Sequence, residues 1–316
     1  MNLLSIENIS KRYANHTALD DVSMNIPKGS IFGLLGPNGA GKTSLIRIIN
    51  QITGPDSGQI LFQGEKLRPD HIEKIGYLPE ERGLYKKMQV GEQAIYLAQL
   101  KGLSRREALR KLKVWFEKFE IKAWWGKKIE ELSKGMQQKI QFIVTVVHEP
   151  ELLILDEPFS GFDPINANII KTELLELKKK GVTIILSTHR MESVEEMCTH
   201  IALINKSKKV LDGPIKEILQ AHKSNTFEIE YTGTGIAFST ALWTGFELIK
   251  NDPTEDGTHI ARIKLLGESN TNGLLQALIP HVQIHNFREL IPSMSDVFIA
   301  NVKQNPLTEP ANLSHE

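Results

Sequence analysis

The chain has 316 residues, 41% of them apolar and 24% charged, an ordinary globular composition long enough for two domains with full cores. Its 38 basic residues balance its 38 acidic ones, which argues against a nucleic-acid partner or a polybasic membrane contact. The single cysteine, Cys198, excludes an intrachain disulfide framework, fits a reducing compartment and reads as a packed residue rather than a nucleophile.

The longest apolar run, Phe142–Val147, is far short of the about 20 residues a membrane helix needs. Met1–Glu7 has no basic n-region and no long apolar segment. The expectation is a soluble, cytoplasmic chain.

In chain order, residues 1–64 read as short strands around one glycine-rich turn. Ile31–Leu35 is an apolar strand, and Gly36-Pro37-Asn38-Gly39-Ala40-Gly41-Lys42-Thr43 follows it. A helical run then starts at Ser44, and Gly58–Gly64 is a glycine-bounded strand. Residues 85–148 are mostly helical. Ser104 and Glu107 form a capping box, and Ala108, Leu109, Leu112, Trp115, Phe116 and Phe119 make the apolar stripe behind it. Arg105, Arg106, Arg110, Lys111 and Lys113 on the other face read as solvated surface. Leu152–Leu155 and Val182–Leu186 are buried-strand candidates separated by a helix over Ala167–Lys180, the alternation of a parallel α/β sheet.

A short linker is expected at His222–Asn225. Beyond it the pattern is strand (Phe227–Tyr231), helix (Ile236–Trp243), two strands (Phe246–Lys250, His259–Leu265), helix (Gly273–Ile279), strand (Val282–Phe287) and helix (Met294–Val302). That βαββαβ order fits the ferredoxin-like plan. The polar tail 304–316, with two prolines, is expected to be disordered. The expected domains are therefore residues 1–222, with a helical subdomain over about 85–148, and 226–303.

The run 36–43 completes G-x-x-x-x-G-K-[ST], the P-loop or Walker A pattern. A strand turning through glycines into a helix N-terminus makes a nest of N–H groups that suits an anion. Lys42 can reach β- and γ-phosphates and the Thr43 hydroxyl can hold Mg²⁺. Leu152–Leu155 leads into Asp156 and Glu157, a Walker B pattern. Asp156 can hold Mg²⁺ and Glu157 can polarise the attacking water.

These motifs, together with Leu132-Ser133-Lys134-Gly135-Met136-Gln137-Gln138, resemble those of ABC transporter ATPase subunits. The resemblance implies ATP and Mg²⁺ as cofactors. It also implies a P-loop fold of ABC type, with a parallel sheet core, an antiparallel β subdomain and a helical subdomain. In that family the Ser133 and Gly135 segment is the signature that faces the γ-phosphate held by a second subunit in a head-to-tail dimer. Ser160-Gly161-Phe162-Asp163 resembles the D-loop at that interface, and Asp163 is carried over as a nucleotide-site residue. His189 resembles the switch histidine on the γ-phosphate, and Tyr13 the aromatic that stacks on adenine. Glu80 stands where the family usually has a glutamine touching Mg²⁺. Lys134, Met136 and Phe162 also depart from the usual residues.

The segments 78–85 and 132–139, with Pro292-Ser293-Met294-Ser295-Asp296-Val297-Phe298, resemble the NatA-type sodium and drug exporter ATPases. That implies a separate membrane permease, two ATPase copies, export, and a place at the inner face of the membrane. A ribosome- or DNA-associated ABC ATPase is the alternative. It is disfavoured by one nucleotide domain per chain and by the lack of basic surfaces. A guanine-reading motif begins at Asn205-Lys206-Ser207 but ends in Lys208, the wrong charge. A non-catalytic subunit is disfavoured because Lys42, Asp156, Glu157 and His189 are all present.

Overall fold

The computed structural model describes residues 1–81, 83–234 and 245–303. Arg82, the expected helix at Ile236–Trp243 and the tail from Gln304 lie outside them. The chain divides into two compact units, Met1–Ile215 and Lys216–Glu316.

The first unit holds two sheets and a helical layer. Strands β1 (Asn2–Tyr13) and β2 (His16–Pro27) are twelve residues each, so the short strands expected at the N-terminus are one long hairpin. They join β4 (Ser57–Phe62) and β5 (Glu65–Lys66) in an antiparallel sheet of order β2-β1-β4-β5. The hairpin is hard to read because its half-buried strands carry register shifts that break strict alternation.

The second sheet has the order β10-β9-β3-β8-β7-β6. Its strands are β3 (Ile31–Leu35), β6 (Ile75–Leu78), β7 (Leu152–Asp156), β8 (Thr183–Ser187), β9 (His200–Asn205) and β10 (Lys208–Pro214). All pairings are parallel except β9 with β10. Every residue of β3, β7 and β8 is buried, as expected for strands covered on both faces. Helices α1 (Lys42–Ile49), α5 (Pro164–Lys179) and α6 (Met191–Met197) belong to this layer. Helix α5 starts three residues before the expected Ala167 because Asp163 caps it and Pro164 takes its first position.

The helical layer is α2 (Val90–Leu100), α3 (Arg105–Lys118) and α4 (Lys134–Val146). Ser104 and Glu107 form the expected capping box on α3. Ala108, Leu112 and Phe116 are its buried stripe, while Leu109 is 39% exposed and falls outside it. Trp115 and Phe119 both pack on Phe142 of α4. Among the described residues no helix is long and apolar enough to cross a membrane.

In the second unit, β11 (Thr226–Thr232), β12 (Phe246–Pro253), β13 (His259–Leu265) and β14 (Gln283–Glu289) form an antiparallel sheet of order β12-β13-β11-β14. This is the ferredoxin-like order. Phe227, Ile229, Tyr231, Ala261 and Ile263 share a core with Leu274 and Leu278 of α7 (Thr271–Leu278). Ser293 and Asp296 make a reciprocal cap on α8 (Met294–Lys303), which gives the Pro292–Phe298 motif a local structural use.

Between α4 and β7, burial and then the Lys101 ammonium pull the His148 imidazole down to about 4 from its usual 6.5. The unfolded chain therefore takes up a proton near pH 6.5 that the folded chain refuses until about pH 4. Stability should fall as pH drops through that window, by at most about 3 kcal/mol from this group. Urea midpoints at pH 7 and pH 5 check it: His148→Gln should lose less between the two pH values than wild type.

Candidate nucleotide site

The fully buried strand β3 delivers the chain into the glycine turn, and α1 takes it away. Two glycines make the turn possible. A Cβ at Gly36 (φ 152°) would lie 2.2 Å from the Ile204 carbonyl oxygen, and one at Gly41 (φ 115°) 2.2 Å from that of Ala18. Gly41 immediately precedes α1, and no side chain caps that helix. The N–H groups of its first turn are thus available to an anion, with the positive end of the helix dipole behind them.

Lys42 Nζ donates to the Gly36 and Pro37 carbonyl oxygens at 2.7 and 3.1 Å, so its ammonium is held inside the curl of the loop. Burial holds that ammonium below its ordinary range, against the pull of the Asp156, Glu157 and Glu80 carboxylates. Asp156 ends β7 at 5% exposure. Burial pushes its carboxyl above the usual carboxylate range; the Ser187 hydroxyl and Lys42 oppose that, and Glu80 and Glu157 add to it. A cation beside it would restore the charged form.

Glu157 follows β7 in the left-handed region (φ 50°), its N–H donating to the Ser187 carbonyl at 2.8 Å. Its carboxylate is held by the segment after β8. Oε1 accepts the His189 backbone N–H at 2.9 Å and lies 2.7 Å from His189 Nδ1. Oε2 accepts the Thr188 hydroxyl at 3.1 Å.

A cavity of about 400 Å³ brings most of the expected residues together. Asn38 through Ser44 line it, with Glu80, Asp156, Glu157, His189 and Tyr13. Gly36 and Pro37 contribute through the carbonyls that hold Lys42. Tyr13 ends β1 at 38% exposure, with the Lys11 ammonium 5.5 Å from its ring centroid. His16, at the start of β2, also lines the cavity; only its nearness to Tyr13 in sequence hinted at it. A larger groove of about 690 Å³ lies by Trp115, Lys111, Glu149 and Val182. It lacks any part of the P-loop, so size does not identify the site.

Ser133, Gly135 and Asp163 do not line the P-loop cavity. Ser133 caps α4 by accepting the Met136 N–H, and Asp163 caps α5 by accepting that of Asn166. Gly135 faces open space: a Cβ there would meet nothing within 4 Å.

The oxygen donors Thr43, Asp156 and Glu80 suit a hard divalent cation such as Mg²⁺. Among the described residues no three metal-binding side chains converge to hold an ion by themselves. Phosphate and water oxygens would complete its shell. Cys198 is buried, and burial pushes its thiol up to about 12, which leaves it inert as a nucleophile.

Comparison with known proteins agrees with this geometry. Residues 19–160 match the ABC transporter family, and 213–302 match the C-terminal domain of DrrA1-3-like ATP-binding proteins. Residues 126–195 also match an AAA domain described as a putative AbiEii toxin of a type IV toxin–antitoxin system. The chain is 41% identical over 300 residues to the uncharacterized ABC transporter ATP-binding protein YhaQ of Bacillus subtilis, covering 95% of this chain and 98% of that one. It is 34% identical to the linearmycin resistance ATP-binding protein LnrL of Bacillus subtilis, covering 76% of this chain and 78% of that one. For the ABC transporter ATP-binding protein NatA of the same species the identity is 30%, over 70% of this chain and 94% of that one. A solved ATP-binding subunit of an ABC transporter superposes with a TM-score of 0.65 at 30% identity, over 69% of this chain and 92% of that one.

Tyr13, beside the P-loop, sets a clear expectation. Tyr13→Ala should weaken ATP binding by about 1–3 kcal/mol, the usual worth of a base stack, and change kcat less. Equilibrium titration checks this, and unchanged affinity would mean that another residue, His16 first, carries the base.

Proposed function

The chain belongs to the ABC transporter ATP-binding proteins, and from that premise we propose that two copies clamp head to tail around ATP and power a separate membrane permease for export. Members of the family hydrolyse ATP, and the chain is the ATP-binding subunit of such a transporter. The observation that carries the dimer is the separation of Ser133, Gly135 and Asp163 from the cavity that holds Lys42, Asp156 and Glu157. One chain makes half of each of two sites. A helix N-terminus capped only by Ser133 and opened by Gly135 is suited to a phosphate on another copy. The export direction is supported by the likeness to LnrL, named for resistance to linearmycin. Such a subunit sits in the cytoplasm at the inner face of the membrane, held there by its permease.

Each residue has a role in hydrolysis. The α1 N-terminus, the P-loop amides and Lys42 bind and orient the phosphates, and Tyr13 stacks on the adenine. Thr43, Asp156 and Glu80 would hold Mg²⁺, which offsets phosphate charge when bound. Glu157 takes a proton from the attacking water, and His189, beside Glu157, contacts the γ-phosphate. Residues 1–222 form the ATPase domain in this reading, and 226–303 an accessory domain.

Glu157→Gln keeps the size of the side chain and removes the base. Phosphate release should fall by about 10²–10⁴ while ATP affinity stays close to wild type. Size exclusion with light scattering should show the variant shifting from monomer to dimer on adding Mg-ATP. Gly135→Ala tests the shared site separately. Its Cβ meets nothing within the chain, so Tm and monomer ATP binding should be unchanged while turnover falls. Wild-type turnover in Gly135→Ala would remove the support for a second copy at that helix.

A chain ending at Ala221 should fold and bind ATP, since it keeps every residue of the cavity. Insolubility of that chain beside soluble full-length protein would mean that the two parts share one core.

A further inference from the structure

We propose that Thr188 is the positioning residue for the Glu157 carboxylate. The inference rests on Glu157 being the base. Thr188 follows β8 and is fully buried. It lies outside the cavity lining, so it does not touch the nucleotide in this reading. Its Oγ1 accepts the Arg190 backbone N–H at 3.1 Å and lies 3.1 Å from Glu157 Oε2. A hydroxyl has one proton and two lone pairs. With Arg190 N–H on a lone pair, its proton is directed to the acceptor that remains, the carboxylate.

The geometry around Glu157 shows why a fixed partner is needed. A glutamate side chain has freely rotating bonds that ordering must restrict. Its backbone leaves β7 in the left-handed region and is clipped to Ser187, the residue before Thr188. The contacts to Oε1 both come from His189, whose side chain is 70% exposed on the cavity wall. The hydroxyl on Oε2 comes from a fully buried side chain. Thr188 therefore ties the base to the end of β8, the strand that also pairs with β7 and β3. A small misplacement of a reacting group can cost about 10²-fold in rate, so deleting this one hydroxyl should slow hydrolysis while leaving ATP in place.

Thr188→Val removes the hydroxyl and nearly keeps the shape, Thr188→Ala is the second deletion, and Thr188→Ser returns the hydroxyl. All are made in the full chain, with Tm, ATP affinity, KM and kcat measured. The expected result for Thr188→Val, or for Thr188→Ala if valine does not fold, is kcat down by about 10–100-fold with KM and ATP affinity within about twofold. Thr188→Ser should recover most of the rate. A purely structural role would instead lower Tm and weaken ATP binding together, with serine giving no selective recovery of kcat. The decisive arm is the double variant. If Thr188 acts through Glu157, Thr188→Val should add no further loss to Glu157→Gln, measured by single-turnover phosphate release. Wild-type kcat in the deletions, failure of serine to restore it, or an equal further loss in the Glu157→Gln background would each overturn the positioning role. Near-normal turnover of Glu157→Gln alone is a different result: it would remove the base, and with it the residue that Thr188 serves.

Discussion

Two backbone carbonyls, of Ala18 and Ile204, stand where a Cβ on Gly41 and Gly36 would have to go. The phosphate-binding turn is held by this close approach of three chain segments. Behind it is the turn between β9 and β10, where Lys206 and Ser207 both take positive φ, 47° and 68°. Two consecutive left-handed residues are what a tight hairpin of this twist needs. That turn is the Asn205–Lys208 stretch that begins like a guanine-reading motif, and its actual use is structural. Ser207 donates its N–H to the Ala40 carbonyl and its hydroxyl to that of Thr17, and it accepts the N–H of Asp20. Displacing this hairpin would move the loop amides on which any phosphate depends.

The charge of the cavity imposes the second constraint. Asp156, Glu157 and Glu80 line one space with a single lysine, Lys42, among them. Unit charges about 4 Å apart interact by about 4 kcal/mol near a protein surface. One ammonium therefore leaves these carboxylates in excess before a polyphosphate is added. The amides and dipole of α1 offset part of the repulsion. A divalent ion held by Thr43, Asp156 and Glu80 would offset more of it, since its charge is opposite to theirs and to a phosphate's. Burial is the first cause of the raised Asp156 carboxyl; the Ser187 hydroxyl and Lys42 stabilise its charge, and the excess of neighbouring carboxylates works against them.

The site was largely legible because its chemistry is local in sequence. A glycine pattern, a lysine and a hydroxyl lie within the P-loop, and two carboxylates end one apolar strand. The parallel sheet was legible for the same reason, since β3, β7 and β8 are continuous apolar runs. The N-terminal hairpin was not, because its half-buried strands mix polar and apolar residues and carry bulges. Nor were β9 and β10 singled out, although β9 is almost wholly buried. Thr188 was invisible as anything beyond a neighbour of His189. Its role depends on Glu157, a residue 31 positions away that only the pairing of β7 with β8 brings near. Asp163 shows the converse limit: in one chain its carboxylate caps α5, a use that many helices make of an aspartate.

The departures from the family signature follow a physical rule. Ser133 holds the start of α4 through the backbone N–H of residue 136, and any residue there but proline leaves that bond in place. Lys134 is exposed. The side chains that the fold uses lie just beyond. Gln137 donates to the Ile129 and Leu132 carbonyls at 3.1 and 2.9 Å, fixing the turn before the helix. Gln138 donates to the Ser160 carbonyl, and Gln141 lies 3.4 Å from that of Pro79, the residue before Glu80. These bonds tie α4 to both loops that flank the Walker B carboxylates. Lysine thus stands at an exposed position and methionine at a half-buried one, and neither side chain is needed for the Ser133 cap. Gly135 stands beside open space, where a Cβ would meet nothing within 4 Å, so the start of α4 is left uncrowded.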